Sequence, residues 1–226
     1  EISSFSNEIF YEKKLKLIPL KHQLEILHCP IYDKSDGLQN LIASHRLAFI
    51  VSKGDKNPIS DKTNKDEAIR ISALLKTIYT INKNNFNPQT VGVIVPYRNQ
   101  IALIRKEIKQ LNIPALSDIT IDTVERYQGS ERDFIIYGFT VQKIYQLEFL
   151  TGNVFKDNGQ IIDRKLNVVL TRARKQLFLI GNPQILSYNA IFQKLIKFID
   201  NRQGVCDIPT EYFIQGKFSC SLADKT

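Results

Sequence analysis

Residues 91–111 read VGVIVPYRNQIALIRKEIKQL. Val91 to Val95 is an unbroken apolar run of strand length, as in a strand covered on both faces. Pro96 follows at once. Beyond it Ile101, Ile104, Ile108 and Leu111 fall on one stripe of a helix. A buried strand that leads directly into an amphipathic helix is half of a βαβ unit.

The same unit recurs on either side. Upstream, Leu47–Val51 is a second strand-length run, and Lys53–Asp61, with Gly54 and Pro58, reads as a surface loop. Asn64 followed by Glu67 reads as a helix cap with its reciprocal carboxylate. Ala68, Ile71, Leu75, Ile78 and Tyr79 continue at helical spacing and stop before Pro88. Downstream, Ile119–Val124 and Phe134–Phe139 read as strands, Asp163–Arg174 as a helix, and Gln176–Gly181 as a strand closed by glycine. A last helix opens around Pro183 and Asn189. Ile2, Phe5 and Ile9 have helical spacing, and residues 18–45 read as a long irregular connection. Tyr145–Gln160 has no assignment. The pattern predicts an α/β fold, a mostly parallel sheet with helices on both faces, because right-handed crossovers deliver helices to both. One domain is expected over residues 1–203, with a tail or small extension over 204–226.

The 226 residues are 43% hydrophobic and 24% charged, a globular composition. The net charge is +8, from 31 basic and 23 acidic side chains. That admits a nucleic-acid partner without specifying one, and equally fits a chain rich in Lys, Asn and Ile for reasons unrelated to binding. No apolar run reaches the roughly 18 residues of a membrane span. The N-terminus has neither a basic nor an apolar signal region, so an intracellular, cytoplasmic location with no membrane partner is expected. The chain starts at Glu1 without Met, so upstream sequence is expected. Cys29, Cys206 and Cys220 form no C-x-x-C pair, and His22, His28 and His45 complete no metal site, so no metal is expected.

In an open parallel sheet, ligands bind beyond the carboxyl ends of the strands. Three polar segments near strand boundaries stand out. Pro96-Tyr97-Arg98 begins a helix, whose free N–H groups suit phosphates, while Tyr97 could stack a base. Glu125 to Asp133 contains Gln128-Gly129, where a missing Cβ lets backbone approach a ligand, and Glu131, which could accept from sugar hydroxyls. Alternatively it is a polar turn. Arg164 to Arg174, RKLNVVLTRAR, carries Arg172 and Arg174. A guanidinium matches phosphate with a planar fork and keeps its charge. Alternatively these cations form a solvated basic face.

Taken together and in this order, the segments resemble the motifs of superfamily 1 helicases, in the Upf-like and Dna-type branch. Val93 to Gln100, VIVPYRNQ, looks like motif IV, Thr123 to Asp133, TVERYQGSERD, like motif V, and RKLNVVLTRAR like motif VI. The opening ISSFSNEIFYEKKL resembles the segment after the family's Tyr-Arg-Met-His-Pro motif. The likeness covers about residues 2–200. It implies the second RecA-like domain of an ATP-dependent helicase, of P-loop NTPase type. By position, it implies that Arg172 contacts the γ-phosphate across an interdomain cleft. Glu131 would hold the ribose, Gly129 would approach the phosphates, and Gln128 would couple nucleotide to nucleic acid. Arg174 would lie by the nucleotide. Pro96, Tyr97, Arg98 and Thr123 would line single-stranded DNA or RNA, with Arg126 contacting nucleic acid or solvent. The likeness also suggests 5′-to-3′ movement. Glu125 stands where the family often has Asp, and Arg126 where it often has a small residue or Lys.

No G-x-x-x-x-G-K-[ST] phosphate loop occurs in the chain. ATP and its Mg2+ would therefore be held by a first RecA-like domain, the expected partner, and this chain alone should not hydrolyse ATP. Two other readings are a catalytically inactive helicase-like scaffold or nucleic-acid-binding module, and an α/β enzyme for a small molecule. Retention of Arg172, Glu131 and Gln128 argues against the first. The second finds no glycine-rich nucleotide loop, nucleophile elbow or acid–base pair to support it.

Overall fold

A computed structural model describes residues 2–11, 14, 36–55, 58, 60–127, 130–152, 154–157 and 160–215. In chain order the elements are α1 (Ile2–Phe10), α2 (Gly37–Ser44), β1 (Leu47–Val51), α3 (Lys65–Ile81), β2 (Val91–Ile94) and α4 (Arg98–Gln110). Then come β3 (Thr120–Asp122), β4 (Arg132–Gly138), a 3-10 turn (Ile144–Gln146) leading into α5 (Leu147–Thr151), β5 (Val154–Asp157) and β6 (Gln160–Asp163). The chain continues through α6 (Arg164–Leu170), β7 (Ala173–Gly181), α7 (Pro183–Leu186), α8 (Ala190–Asp200), β8 (Val205–Cys206) and α9 (Thr210–Gln215).

Six strands form one sheet in the order β3-β2-β4-β7-β1-β8, and every pairing in it is parallel. The fold is α/β, as the pattern of apolar runs predicts, and RecA-like, as the resemblance implies. Strand alternation divides the core. Ala48, Ile50, Val93, Ile136, Phe178 and Ile180 meet α2, α3, α4 and α9 on one face. Phe49, Ile94, Ile135, Tyr137, Leu177 and Leu179 meet α1, α5, α6, α7 and α8 on the other. Both edge strands are short, which limits the unpaired backbone offered to another chain.

Five features differ from the sequence expectation. The helix expected over Asp163–Arg174 ends at Leu170; Thr171 and Arg172 turn, and Ala173 already starts β7. The strand expected over Ile119–Val124 keeps only Thr120–Asp122. Within the stretch read as irregular, Asp36 caps α2, its Oδ1 accepting from Leu38 N at 2.9 Å and Gln39 N at 3.0 Å. Residues 15–35 lie outside the described residues. The unassigned Tyr145–Gln160 segment contributes α5 and an antiparallel pairing of β5 with β6, Asp157 opposite Gln160.

The fifth difference is at the C-terminal side. The sheet and its packing continue past residue 203, because β8 pairs with β1 and α9 packs on α3. A buried arginine ties this region down. Arg70 of α3 is fully buried; its Nε donates to Asp66 at 2.8 Å, Nη1 to the Ile208 carbonyl at 2.7 Å and Nη2 to Thr210 Oγ1 at 2.9 Å. Its guanidinium also lies 4.5 Å from the Phe213 ring centroid. Among the described residues, no helix is long and apolar enough to cross a membrane.

Candidate nucleotide and nucleic-acid faces

An all-parallel sheet has an amino end and a carboxyl end, and the sequence-predicted residues divide between them. Pro96, Tyr97, Arg98 and Thr123 follow β2 and β3, at the carboxyl end. Glu131, Arg172 and Arg174 precede or open β4 and β7, at the amino end. Motif IV and the start of motif V thus leave their strands at the carboxyl end, whereas Glu131, Arg172 and Arg174 enter theirs at the amino end.

Motif V has residues at both ends. Residues 123–127 leave β3 on the sheet edge and lie over β2, and Ser130 and Glu131 lead into β4. The Arg126 and Tyr127 amides donate to the Thr123 carbonyl at 3.1 and 3.0 Å. Tyr127 then lies over β2 with 1% of its surface exposed. A Cβ placed on Gly92 would sit 1.6 Å from the Tyr127 hydroxyl, so this glycine in mid-strand is what lets the segment lie there. Burial pushes the Tyr127 phenol up to about 12. Gln128 and Gly129 lie outside the described residues.

At the amino end, motifs V and VI meet directly. The Arg132 amide donates to the Arg172 carbonyl at 3.1 Å, which sets Glu131 beside the Thr171–Arg172 turn. Glu131 is exposed and Arg172 half-buried. The Arg172 Nη2 reaches only its neighbour's Thr171 Oγ1, at 3.3 Å, and its Nε is buried without a hydrogen-bond partner. A buried, unmet guanidinium N–H is the kind of donor an incoming anion would satisfy. The Nε atoms of Arg132 and Arg174 are buried without a partner as well, but Arg174 Nη2 pairs with Asp133 Oδ1 at 2.7 Å, while Lys175 Nζ holds Oδ2 at 3.0 Å. Asp133, a residue sequence reading quoted without a role, thus binds the start of β7 to the start of β4. Arg172 and Arg174 do not share a helix, so helical periodicity does not set their directions.

At the carboxyl end, Arg98 and Arg126 are exposed and Thr123 is buried. Tyr97 is only 8% exposed. Its ring stacks on Phe149 of α5, centroids 4.8 Å apart and planes at 22°. Lys165 Nζ lies 4.3 Å from the Phe149 centroid and 3.2 Å from Glu125 Oε1. Burial works against the Glu125 carboxylate, but backbone hydrogen bonding and Lys165 outweigh it and hold the group below its usual range. Sequence reading missed Phe149 and Lys165 in this role. Phe149 sat in an unassigned segment, and Lys165 read as one more cation of motif VI.

The family model for the AAA domain matches residues 1–184 of this arrangement. The chain belongs to that AAA domain family. Several of the proteins it is similar to are named as helicases. An uncharacterized ATP-dependent helicase of Methanocaldococcus jannaschii is 28% identical over 204 residues, 88% of this chain and 27% of that protein. The human DNA replication ATP-dependent helicase/nuclease DNA2 is 24% identical over 226 residues, 93% of this chain and 20% of that protein. Regulator of nonsense transcripts 1 of Dictyostelium discoideum is 33% identical over 119 residues, 51% of this chain and 8% of that protein. This family member is therefore a superfamily 1 helicase-type domain of the Upf-like and Dna-type branch, related to ATP-dependent helicases. It spans about a quarter or less of the length of these relatives. The C-terminal domain of a possible DNA helicase from Lactobacillus plantarum overlays with a TM-score of 0.36 and 13% identity, over 66% of this chain and 84% of that one. That score is too low to bear on the fold, which rests on the sheet itself.

Proposed function

We propose that this chain is the second motor domain of an ATP-dependent DNA or RNA helicase. ATP and its Mg2+ would be held by a first RecA-like domain, and this domain would close over them. Arg172 would then meet the γ-phosphate, Glu131 the ribose, and Gln128 and Gly129 the phosphate side of the same nucleotide. Arg174 acts beside them as a positioning residue through Asp133. A fixed guanidinium aimed at developing phosphoryl charge stabilises the transition state without reorganisation. Single-stranded nucleic acid would run along the opposite end of the sheet, past Pro96, Arg98, Thr123 and Arg126. Opening and closing of the ATP cleft would step the domain along it.

The observation that carries this reading is the contact between motifs V and VI. It brings Glu131 beside Arg172, whose Nε is buried and unmet. The residues fit a nucleotide anion. The chain's own sequence has no phosphate loop, so it supplies the second half of the site. The purified 226-residue chain should therefore show no ATPase activity above background, with or without oligonucleotide, yet bind single-stranded oligonucleotides with little sequence preference. Steady ATP turnover by a clean preparation would overturn the assignment to the second half. Failure to bind any single strand would remove the nucleic-acid track.

A further inference from the structure

The ring open to a nucleobase at the carboxyl end of the sheet is not Tyr97, which is 8% exposed beneath Phe149. Phe149 keeps 46% exposure, and Tyr145, four residues earlier in the same helical run, keeps 56%. Both rings lie by Tyr97: Phe149 stacks on it, and the Tyr145 phenol is close enough to act on the Tyr97 hydroxyl. Ile144, beside them, is 51% exposed. These three are half of the six large hydrophobic side chains exposed among the described residues. Such concentration on a soluble surface marks an interaction site.

The surroundings favour a polyanionic partner with flat groups. An ammonium stands near each ring: Lys165 Nζ lies 4.3 Å from the Phe149 centroid and Lys143 Nζ 5.9 Å from that of Tyr145. Arg98 and Arg126 add exposed guanidinium groups at the same end of the sheet. The acids at this end include Asp55, Asp61, Asp122, Glu125 and Glu148. Asp61 and Glu125 are paired with Lys143 and Lys165, at 3.1 and 3.2 Å. The platform is also fixed in advance. Gln146 Oε1 accepts from the Gln142 and Lys143 amides at 2.8 Å each, its Nε2 donates to the Asp61 carbonyl, and the Tyr145 hydroxyl donates to the Asp61 carboxylate. Aromatic faces for bases interleaved with cations for phosphates are how proteins hold single strands without reading sequence.

We propose that Tyr145 and Phe149 form a base-stacking step for single-stranded nucleic acid, with Lys143 and the exposed Arg98 and Arg126 at the same end of the sheet for its phosphates, while Lys165, held by Glu125 and the Phe149 carbonyl, fixes the Phe149 ring. The proposal rests on the reading of this chain as a single-strand-binding motor domain and adds two rings, Tyr145 and Phe149, that lie outside the helicase motifs. Tyr97 then supports Phe149 from beneath rather than touching the strand.

The test is binding of the 226-residue chain to an oligothymidylate and to an abasic strand of equal length. The double variant Tyr145→Ala/Phe149→Ala should bind the thymidylate about tenfold or more weakly, the loss of one to two stacked bases. Its binding to the abasic strand should be unchanged, because the cations remain. Phe149→Trp should retain the thymidylate affinity, and Phe149→Leu, which keeps an apolar cover over Tyr97, should lose it. Equal weakening on both strands would overturn the proposal, since stacking was then not what was removed. No weakening on either would also overturn it and leave the patch as a protein-docking surface. If the unaltered chain binds neither strand, the wider nucleic-acid reading falls with it.

Discussion

Glu67 is completely buried at the carboxyl ends of β1 and β4, where its Oε2 accepts from the Thr140 amide at 2.8 Å and its Oε1 from Ser52 Oγ at 3.3 Å. It opens the helix that Asn64 caps, but it does not return to the cap backbone; the Asn64 amide donates to Gln100 Oε1 at 2.8 Å instead. Burial is the larger influence on the carboxyl and raises it from 4.5 to about 8, against the opposing Thr140 N–H. Between those values the folded chain holds a proton that the unfolded chain has released. Stability from this group is therefore full below about 4.5 and falls as pH rises toward about 8. Glu67→Gln keeps an acceptor for Thr140 and should flatten that fall. Urea melts at pH 5 and pH 8 check it: wild type should lose more stability between the two than the variant, by a few kcal/mol at most. An equal change in both would mean that Glu67 is ionised across the range. Gly92 makes a steric point. Gly92→Ala should destabilise by about 1–3 kcal/mol, because the new methyl must displace Tyr127. Tyr127→Phe alone should be close to neutral, since its buried hydroxyl has no hydrogen-bond partner, and in that background the Gly92→Ala penalty should shrink.

At the level of elements, what was legible follows from how each is buried. The five strands of the sequence reading are β1, β2, β3, β4 and β7. The central ones are covered on both faces, so their apolar runs are continuous and hard to misread. Strand β8 is two residues long and held by backbone pairing to β1, so no pattern could announce it. The β5–β6 pairing had a signal, Asn158-Gly159, a dipeptide favoured in tight hairpin turns, although those two residues lie outside the described ones. The end of α6 was misplaced because Thr171-Arg172-Ala173-Arg174 keeps good helix formers where tertiary pairing to β4 draws the chain into β7. The roles of Arg70 and Phe149 were not legible, since each depends on partners distant in sequence. Arg70 gives the clearest test at this scale. Arg70→Ala leaves Asp66 and the Ile208 carbonyl without its guanidinium and should cost about 3 kcal/mol or more. Hydrogen exchange should rise first across residues 205–215, the region it holds. Unchanged protection there would mean that β8 and α9 are secured by apolar packing alone.

On the scale of the whole molecule, the proposed nucleotide and nucleic-acid faces lie at opposite ends of one parallel sheet, and motif V has residues at both. Its start, Thr123 and Arg126, lies by the carboxyl end, and its finish, Glu131, lies beside Arg172 at the amino end. A shift of this segment would be felt at both ends, which is the physical requirement for coupling a nucleotide to a strand. Binding of single strands should weaken with salt, log K falling against log salt by about 0.7 for each phosphate neutralised. A flat salt response would argue against a phosphate track through Arg98 and Arg126. The most direct measurement is steady-state ATP hydrolysis by a protein that joins this chain to a first motor domain, with and without Arg172→Ala. If Arg172 is the cation that meets the γ-phosphate, kcat should drop by about 1,000-fold or more, while affinity for single strands stays within about twofold, because phosphate contacts at the other end of the sheet carry it. Near-normal turnover in the variant would contradict the assignment of Arg172 and of the nucleotide face built around it.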